Sequence, residues 1–407
     1  MKKRVTKTVE KLRKLRSIRI DDPVLSANEQ MEKRQEILES LTAVNLSSVK
    51  SPSFSVDTVA NKNCENLIGK TEVPLGIAGP LQVKGDYAKG DYFIPLATTE
   101  GALVASVNRG CKVISDSGGA NAFIEQSGIT RAPVFRTTGL GQTRVFLKFV
   151  EAHYEELEKR VALVNPYIKL LSYKPYILGR NVFLRFVFDT GDAMGMNMAT
   201  VACESIKNYL EKETKVKCVA LSGNVCVDKK PSWLNKIEKR GYSVHAEVSI
   251  PSSLVNKILK SDPGKIVEVY NRKILIGGSV AGSIGFNAHI ANVIAALFLA
   301  TGQDIAHVVE GSIGTTAVEI VDKDLYFSVS LPDLPLATVG GGTELATQKE
   351  ALSIMGVAGG GKPAGANAGK FAEITAAAVL AGEISLISAL ASDDLARAHR
   401  FLAWGEK

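Results

Sequence analysis

Cysteine is scarce and unpaired in this chain. Cys64, Cys111, Cys203, Cys218 and Cys226 are odd in number, scattered, and form no C-x-x-C pair. That pattern gives a reduced intracellular protein with no metal site. Long apolar runs are also missing. The stretch 290–300 is too short to cross a bilayer, and 374–391 is interrupted by Gly382 and Glu383. The basic start is not followed by the apolar core of a signal peptide. A cytoplasmic protein without a membrane anchor is expected. No repeat of fixed period is present. The G-x-G-x-x-G dinucleotide fingerprint is absent, and the lookalike Gly356-Val357-Ala358-Gly359-Gly360-Gly361-Lys362-Pro363 fails as a phosphate loop. Pro363 stands where a magnesium-binding Ser or Thr would be, and the segment before it has a helical rather than a strand pattern.

What is present fits a large folded core. The 407 residues suggest two or three domains, 45% are hydrophobic, and 22% are charged, an ordinary share. Much of the net charge of +7 comes from the first 19 residues, where nine lysines and arginines face only Glu10. Val5, Val9, Leu12 and Leu15 put a helical stripe in that segment. A solvated helix face is its ordinary reading, with a nucleic acid or a membrane surface as alternatives. A basic surface also suits polyanionic small molecules such as nucleotide cofactors.

The pattern along the chain predicts an α+β protein in three parts. Residues 1–50 read as a small helical N-terminal domain. Residues 51–132 and 223–407 read as one large domain, helical and mixed, rich in Ala and Gly. Between them, 133–222 reads as an inserted small domain. There, 144–150 reads as a strand, 152–164 as a helix, 167–172 and 181–188 as strands, 196–210 as a helix and 217–221 as a strand. This is the β-α-β-β-α-β order of ferredoxin-like domains.

Several polar groups stand in unusual settings. Lys229 follows Ser222-Gly223-Asn224 on a loop leaving a strand end. A surface pair with Lys230 is its plain reading, and a loop facing a cleft is the functional one. Glu100 precedes the helical pattern 102–114, an ordinary place for a glutamate. Asp304 follows an apolar helix and Gly302, where capping is the plain role. His399 ends a helix-like run, where a cation is favoured. His289 and Asn292 share one helix face. His153, His245 and His307 show no ligand spacing and read as structural or exposed. The run Gly191 to Asn197 joins a strand to a helix. Its glycines would let a phosphate approach the backbone, and Asp192 could cap the helix; a tight structural turn is the competing reading.

Taken in order, these segments resemble the 3-hydroxy-3-methylglutaryl-CoA reductase family over most of the chain, from about Glu65 to His399. The residues that carry the likeness are Glu65-Asn66-Leu67-Ile68-Gly69, residues 97–101, Asn108-Arg109-Gly110-Cys111, residues 192–197, residues 222–231, Asn287-Ala288-His289, Gly302-Gln303-Asp304, residues 338–343 and the His399 tail. The likeness is to the class I form without its membrane anchor, as in archaeal enzymes.

The resemblance implies reduction of a CoA thioester to mevalonate by two hydrides. Lys229 would stabilise the oxyanion. Glu100 would supply a proton, Asp304 would couple to both, and His399 would protonate the departing CoA thiolate. Asp192, Ala193, Met194, Gly195, Met196 and Asn197 match the dinucleotide site, for NADPH with NADH as the alternative. Arg131, Ser222, Asp228, Lys230 and Lys273 match positions around the substrate carboxylate. Ser106, Asn108, Arg109, His289 and Asn292 match the side facing substrate and coenzyme A. A homodimer or tetramer with the active site between subunits is implied, with no metal and no nucleic acid. Reduction of a different CoA thioester, or a non-catalytic dinucleotide- or nucleic-acid-binding role, are the alternatives. Gly405, in place of a phosphorylated serine of animal enzymes, argues against that switch.

Overall fold

A computed structural model describes residues 18–20, 22 and 24–392. His399 and the basic segment before residue 18 lie outside the described residues. The chain divides into two compact units, Met1–Pro74 with Glu344–Ala346, and Leu75–Thr343 with Thr347–Lys407.

In the first unit, helix α1 (Ala27–Thr42) opens on a capping box. Ser26 accepts from the Glu29 amide, and the Glu29 carboxylate accepts from the Ser26 amide at 2.8 Å. Helix α2 (Val56–Lys62) is capped by Ser55. Met31, Val59 and Leu67 form a small core, and Arg34 and Gln35 donate to the carbonyls of Leu67 and Ile68.

The second unit is built on a ten-stranded sheet, antiparallel except where β1 meets β3. Its numbered elements are β1 (Leu75–Lys84), β2 (Lys89–Ala97), α3 (Leu103–Asp116), β3 (Ala120–Arg131), β4 (Val134–Arg136), α4 (Leu140–Ala152), α5 (Tyr154–Val164), β5 (Lys169–Leu178), β6 (Asn181–Asp189), α6 (Met196–Thr214), β7 (Lys217–Ala220), α7 (Trp233–Glu238), β8 (Arg240–Ile250), α8 (Ile290–Thr301), β9 (Thr315–Val321), β10 (Asp324–Leu334) and α9 (Ala366–Ala391), with further helical segments such as Pro263–Val269, Tyr270–Gly277 and Ala346–Ile354 between them. The main strand order is β7-β4-β6-β3-β8-β10-β9; β5 pairs with the other edge of β6, and β1 joins β2 to β3.

Two cores sit on this sheet. One gathers around α9, whose middle is buried on all sides. Among the described residues α9 is the helix long and apolar enough to cross a membrane, and it lies inside the protein. Small residues make that placement possible. A side chain at Gly110 of α3 would meet the Ala381 carbonyl at 2.0 Å, so glycine is required where the helices touch. The other core packs α4, α5 and α6 on β4, β5 and β6 through Phe146, Val150, Leu157, Leu184, Phe186 and Ile206. Strand β3 belongs to both, pairing with β8 over Asn121–Gly128 and with β6 over Ile129–Arg131.

Two expectations are corrected. Residues 144–150 are not a strand but lie within α4, where Thr143, Phe146 and Val150 are buried at helical spacing. The strand that opens this part is β4, three residues long. The Ala- and Gly-rich second half also contains β8, β9 and β10. In β8, Val244, Ala246, Val248 and Ile250 point inward, alternating with His245, Glu247 and Ser249.

Candidate active site

The loop from Ser222 to Pro231 leaves β7 beside the end of β3. The Gly223 amide donates to the Ala132 carbonyl at 2.7 Å, and Thr130 Oγ1 donates to the Cys226 carbonyl at 3.1 Å. A Cβ at Gly223 would stand 2.8 Å from Phe183 and 3.0 Å from that carbonyl, so this approach needs glycine. The loop therefore starts next to Arg131, the last residue of β3. Arg131 Nε is buried and has no hydrogen-bond partner among the described residues. Ser222 Oγ lies 3.6 Å from Cys226 Sγ.

Three non-glycine residues in this loop have positive φ: Asn224 at 70°, Val227 at 49° and Lys229 at 59°. For a β-branched valine that conformation is a genuine outlier. It persists because the loop is tied from beneath. Asn235 of α7 donates to the Val227 carbonyl at 3.0 Å and to Asp333 Oδ2 at 2.6 Å. Asp228 Oδ1 accepts from Arg240 at 2.8 Å and lies 3.1 Å from His307 Nε2. Lys230 turns back onto the Asp228 carbonyl at 3.2 Å. Lys229 Nζ meets Asp304 Oδ2 at 2.6 Å. Asp304 Oδ1 also accepts from the Ala306 amide at 3.1 Å, so the plain capping role and the ion pair coexist.

The ionisation of these groups follows their surroundings. Burial works to raise the Asp304 carboxyl, but the hydrogen bond from Lys229 and the nearby His307 and Ala306 amide hold it below its usual range. Burial opposes ionisation of Asp228 too, yet His307, Arg240 and Lys229 together pull it down to about 2. Glu310 and Asp333, both fully buried, go the other way, through burial first. For Glu310 the neighbouring Asp333 charge adds to the rise. Donor atoms of Asp228, His307 and Glu310 lie within 4.8 Å of one another, a metal-like cluster. The guanidinium of Arg240 already occupies it, at 2.8 Å from Asp228 and 2.6 Å from Glu310.

A second group surrounds Glu100. Asn292 Nδ2 donates to Glu100 Oε1 at 3.1 Å and lies 3.5 Å from His289 Nδ1. His289 Nε2 is 2.8 Å from the Gly382 carbonyl, which can only accept, so that nitrogen carries the hydrogen and Nδ1 faces Asn292 as an acceptor. Glu383 fixes the backbone here, accepting from the Ala288 and His289 amides at 2.8 and 2.7 Å and from Thr316 Oγ1 at 2.7 Å. Ser106 and Arg109 both bind Ser385 of α9, and Asn108 accepts from the Gly79 amide. Lys273 is exposed on the π-type stretch Tyr270–Gly277.

The chain thus brings Lys229 to Asp304, and Glu100 to Asn292 and His289, but these pairs flank different ends of α8. Twelve residues of helix separate the ends, about 18 Å.

The loop after β6 is shaped by glycine. Gly191 and Gly195 have φ of 59° and 87°, and a Cβ at Gly195 would overlap Thr190. The expected capping of α6 by Asp192 is not observed: Gly195 is its N-cap, without a side-chain cap. Asp192 instead caps α9. Its Oδ2 accepts from the Gly361 and Gly365 amides at 2.8 Å each, and Oδ1 accepts from the Ala368 amide at 3.0 Å. The first amides of α6 therefore have no capping side chain, while the nearby carboxylate is turned away onto the amides at the start of α9. A small crevice beside this loop is lined by Gly128, Thr190, Ala193, Met194, Tyr242 and Leu336, among others. Glycine backbone, uncapped amides and a masked acid fit a bound phosphate.

His307, Arg240, Glu310 and Glu383 carried no motif signal in the sequence. For His307 the i, i+3 spacing from Asp304 was the available clue.

Fold and site define an α+β protein with a large antiparallel sheet and a strained loop presenting a lysine to an aspartate. The hydroxymethylglutaryl-coenzyme A reductase family model matches residues 30–403, and the chain belongs to that family. It is 51% identical to 3-hydroxy-3-methylglutaryl-coenzyme A reductase of Aeropyrum pernix, over 95% of this chain and 92% of that protein. With the reductase of Pyrococcus abyssi the identity is 50%, over 91% and 92%. A class II reductase from Streptococcus pneumoniae, solved bound to NADPH in open conformations, shares the fold with a TM-score of 0.67 at 19% identity, covering 88% of this chain and 96% of that one.

Proposed function

We propose that this chain reduces (S)-3-hydroxy-3-methylglutaryl-CoA to mevalonate and coenzyme A with two molecules of NADPH. The Lys229–Asp304 pair, on a loop held in a strained conformation, carries the reading. Hydride attack on a thioester builds charge on the acyl oxygen, and a fixed ammonium lowers that barrier. Asp304 keeps the lysine in place. Arg131, with its buried unpartnered nitrogen, suits the free carboxylate of the substrate, together with Ser222, Lys230 and Lys273, while Asp228 lines the same substrate site as an acceptor held by Arg240 and His307. Glu100 is the acid for the carbonyl oxygen, with Asn292 and His289 orienting it. His399 protonates the coenzyme A thiolate, and Ser106, Asn108 and Arg109 serve the coenzyme side.

NADPH supplies the hydrides. Residues 192–197 would hold its phosphates, through the uncapped start of α6 and the glycine turns. The part from 133 to 222 is read as an inserted ferredoxin-like domain for that cofactor, supported by the strand order β7-β4-β6-β5. Residues 1–50 are read as a small helical domain, and 51–132 with 223–407 as the substrate-binding domain. Because Glu100 and Lys229 flank opposite ends of α8, the complete site is proposed to form between two subunits, Glu100 from one and Lys229 from the other.

The test is stoichiometry. Purified protein given a panel of CoA esters should oxidise two NADPH per mevalonate formed, with this ester strongly preferred. Turnover of another thioester at comparable kcat/KM would replace the substrate assignment. A higher kcat/KM with NADH would replace the cofactor.

A further inference from the structure

The turn after α8 touches the lysine loop twice. Asp304 meets the Lys229 ammonium, and three residues later His307 reaches Asp228, the residue before Lys229. His307 is fully buried. Its Nε2 faces two acceptors, Asp228 Oδ1 at 3.1 Å and Glu310 Oε1 at 3.5 Å, so Nε2 carries the hydrogen. Nδ1 is buried without a partner among the described residues. Arg240 grips the same Asp228 oxygen and Glu310, and is itself tied to Met196. Asp228 is therefore held by a histidine and an arginine rather than by solvent.

This matters because the loop does not rest in a relaxed conformation. Positive φ at Val227 and Lys229 is strained backbone and persists only where the surroundings over-determine it. The residue between them is Asp228. Its side chain is thus the pin that keeps both flanking residues left-handed and Lys229 aimed at Asp304.

We propose that His307 is a positioning residue for the reduction: through Asp228 it holds the strained loop that presents Lys229, while Asp304 on the same turn fixes the ammonium directly. This rests on Lys229 being the oxyanion cation.

Three substitutions test it on the full-length enzyme with thermal unfolding recorded for each. In His307→Gln the amide nitrogen reaches the place of Nε2; in His307→Asn it stops near Nδ1; His307→Leu fills the space with no donor. The Gln variant should keep kcat within about threefold of wild type. The Asn and Leu variants should lose at least tenfold in kcat, with KM for the CoA ester changed less than about threefold. Equal activity of Gln and Asn variants overturns the proposal, as does a loss confined to KM. Should the Leu variant fail to fold, the Gln–Asn comparison decides alone; should Asn also fail, a Gln variant below a tenth of wild-type kcat overturns it, and one within threefold sustains it. Lys229→Gln is the separate control. If it keeps wild-type turnover, the role of Lys229 fails whatever the His307 variants do.

Discussion

Asp228 and Glu310 accept from the same guanidinium, yet their protons respond oppositely. Asp228 is lowered from 3.8 to about 2 in the folded chain. An acid so depressed favours the fold above its unfolded pKa, and that contribution, about 2 kcal/mol at about 1.4 kcal/mol per pH unit, is lost as pH falls through 2. Glu310 is raised above its ordinary 4.5 by burial and by Asp333. It favours the fold most fully below 4.5, and this is lost as pH rises through its folded value. Glu310→Gln mimics the protonated acid, so the decline in melting temperature from about pH 5 to 9 should be shallower in the variant by calorimetry. Parallel wild-type and variant curves would remove Glu310 from that limb. At this scale motifs in the sequence marked Lys229 and Asp304, which meet in the structure, and Glu100, which meets Asn292. It was silent at Arg240 and His307, because an isolated arginine or histidine carries no sign that carboxylates from other segments will converge on it.

Among the elements, the clamp between Asp192 and the start of α9 ties the glycine turn after β6 to the longest helix. Asp192→Ala leaves the amides of Gly361, Gly365 and Ala368 without their acceptor. Leaving buried donors unmade costs about 1–3 kcal/mol. A lower melting temperature is expected, together with a several-fold rise in KM for NADPH and little change in KM for the CoA ester. If the ester KM rises equally, the clamp serves the whole site and not the cofactor loop. The glycines and the aspartate were legible as a phosphate-turn pattern, but the partner of the aspartate was not, since it lies 169 to 176 positions away in sequence. The mistaken strand at 144–150 has a different cause. Residues 145–150 alternate too little and carry too many β-branched and aromatic side chains for local preference to decide; burial of Thr143, Phe146 and Val150 on β4 and β6 made the segment helical. Strand β8 shows the converse, with an apolar and polar alternation over residues 244–250 that is plain in the sequence.

On the scale of the whole molecule, the separation of Glu100 from Lys229 by the length of α8 predicts complementation. Glu100→Gln and Lys229→Gln should each be inactive as homodimers. Mixed in equal amounts after dissociation, half of the pairs become heterodimers, each with one intact site of two, so activity should return to about a quarter of wild type. No recovery, with heterodimers demonstrated by mass, would place both groups in one subunit's site. The α+β class and the family resemblance were readable from the chain because they rest on local pattern and motif order. The ten-stranded sheet was not, because its pairings join segments more than a hundred residues apart, as between β3 and β8. One of its strands has a mechanical consequence. Since β3 is hydrogen-bonded into both halves of the second unit, the core around α4, α5 and α6 is continuous with the rest of the sheet and is not a loosely tethered lobe. An insertion near Gly128, where the pairing of that ribbon changes hands, would loosen the two halves and leave the Asp192 clamp on α9 to hold them together.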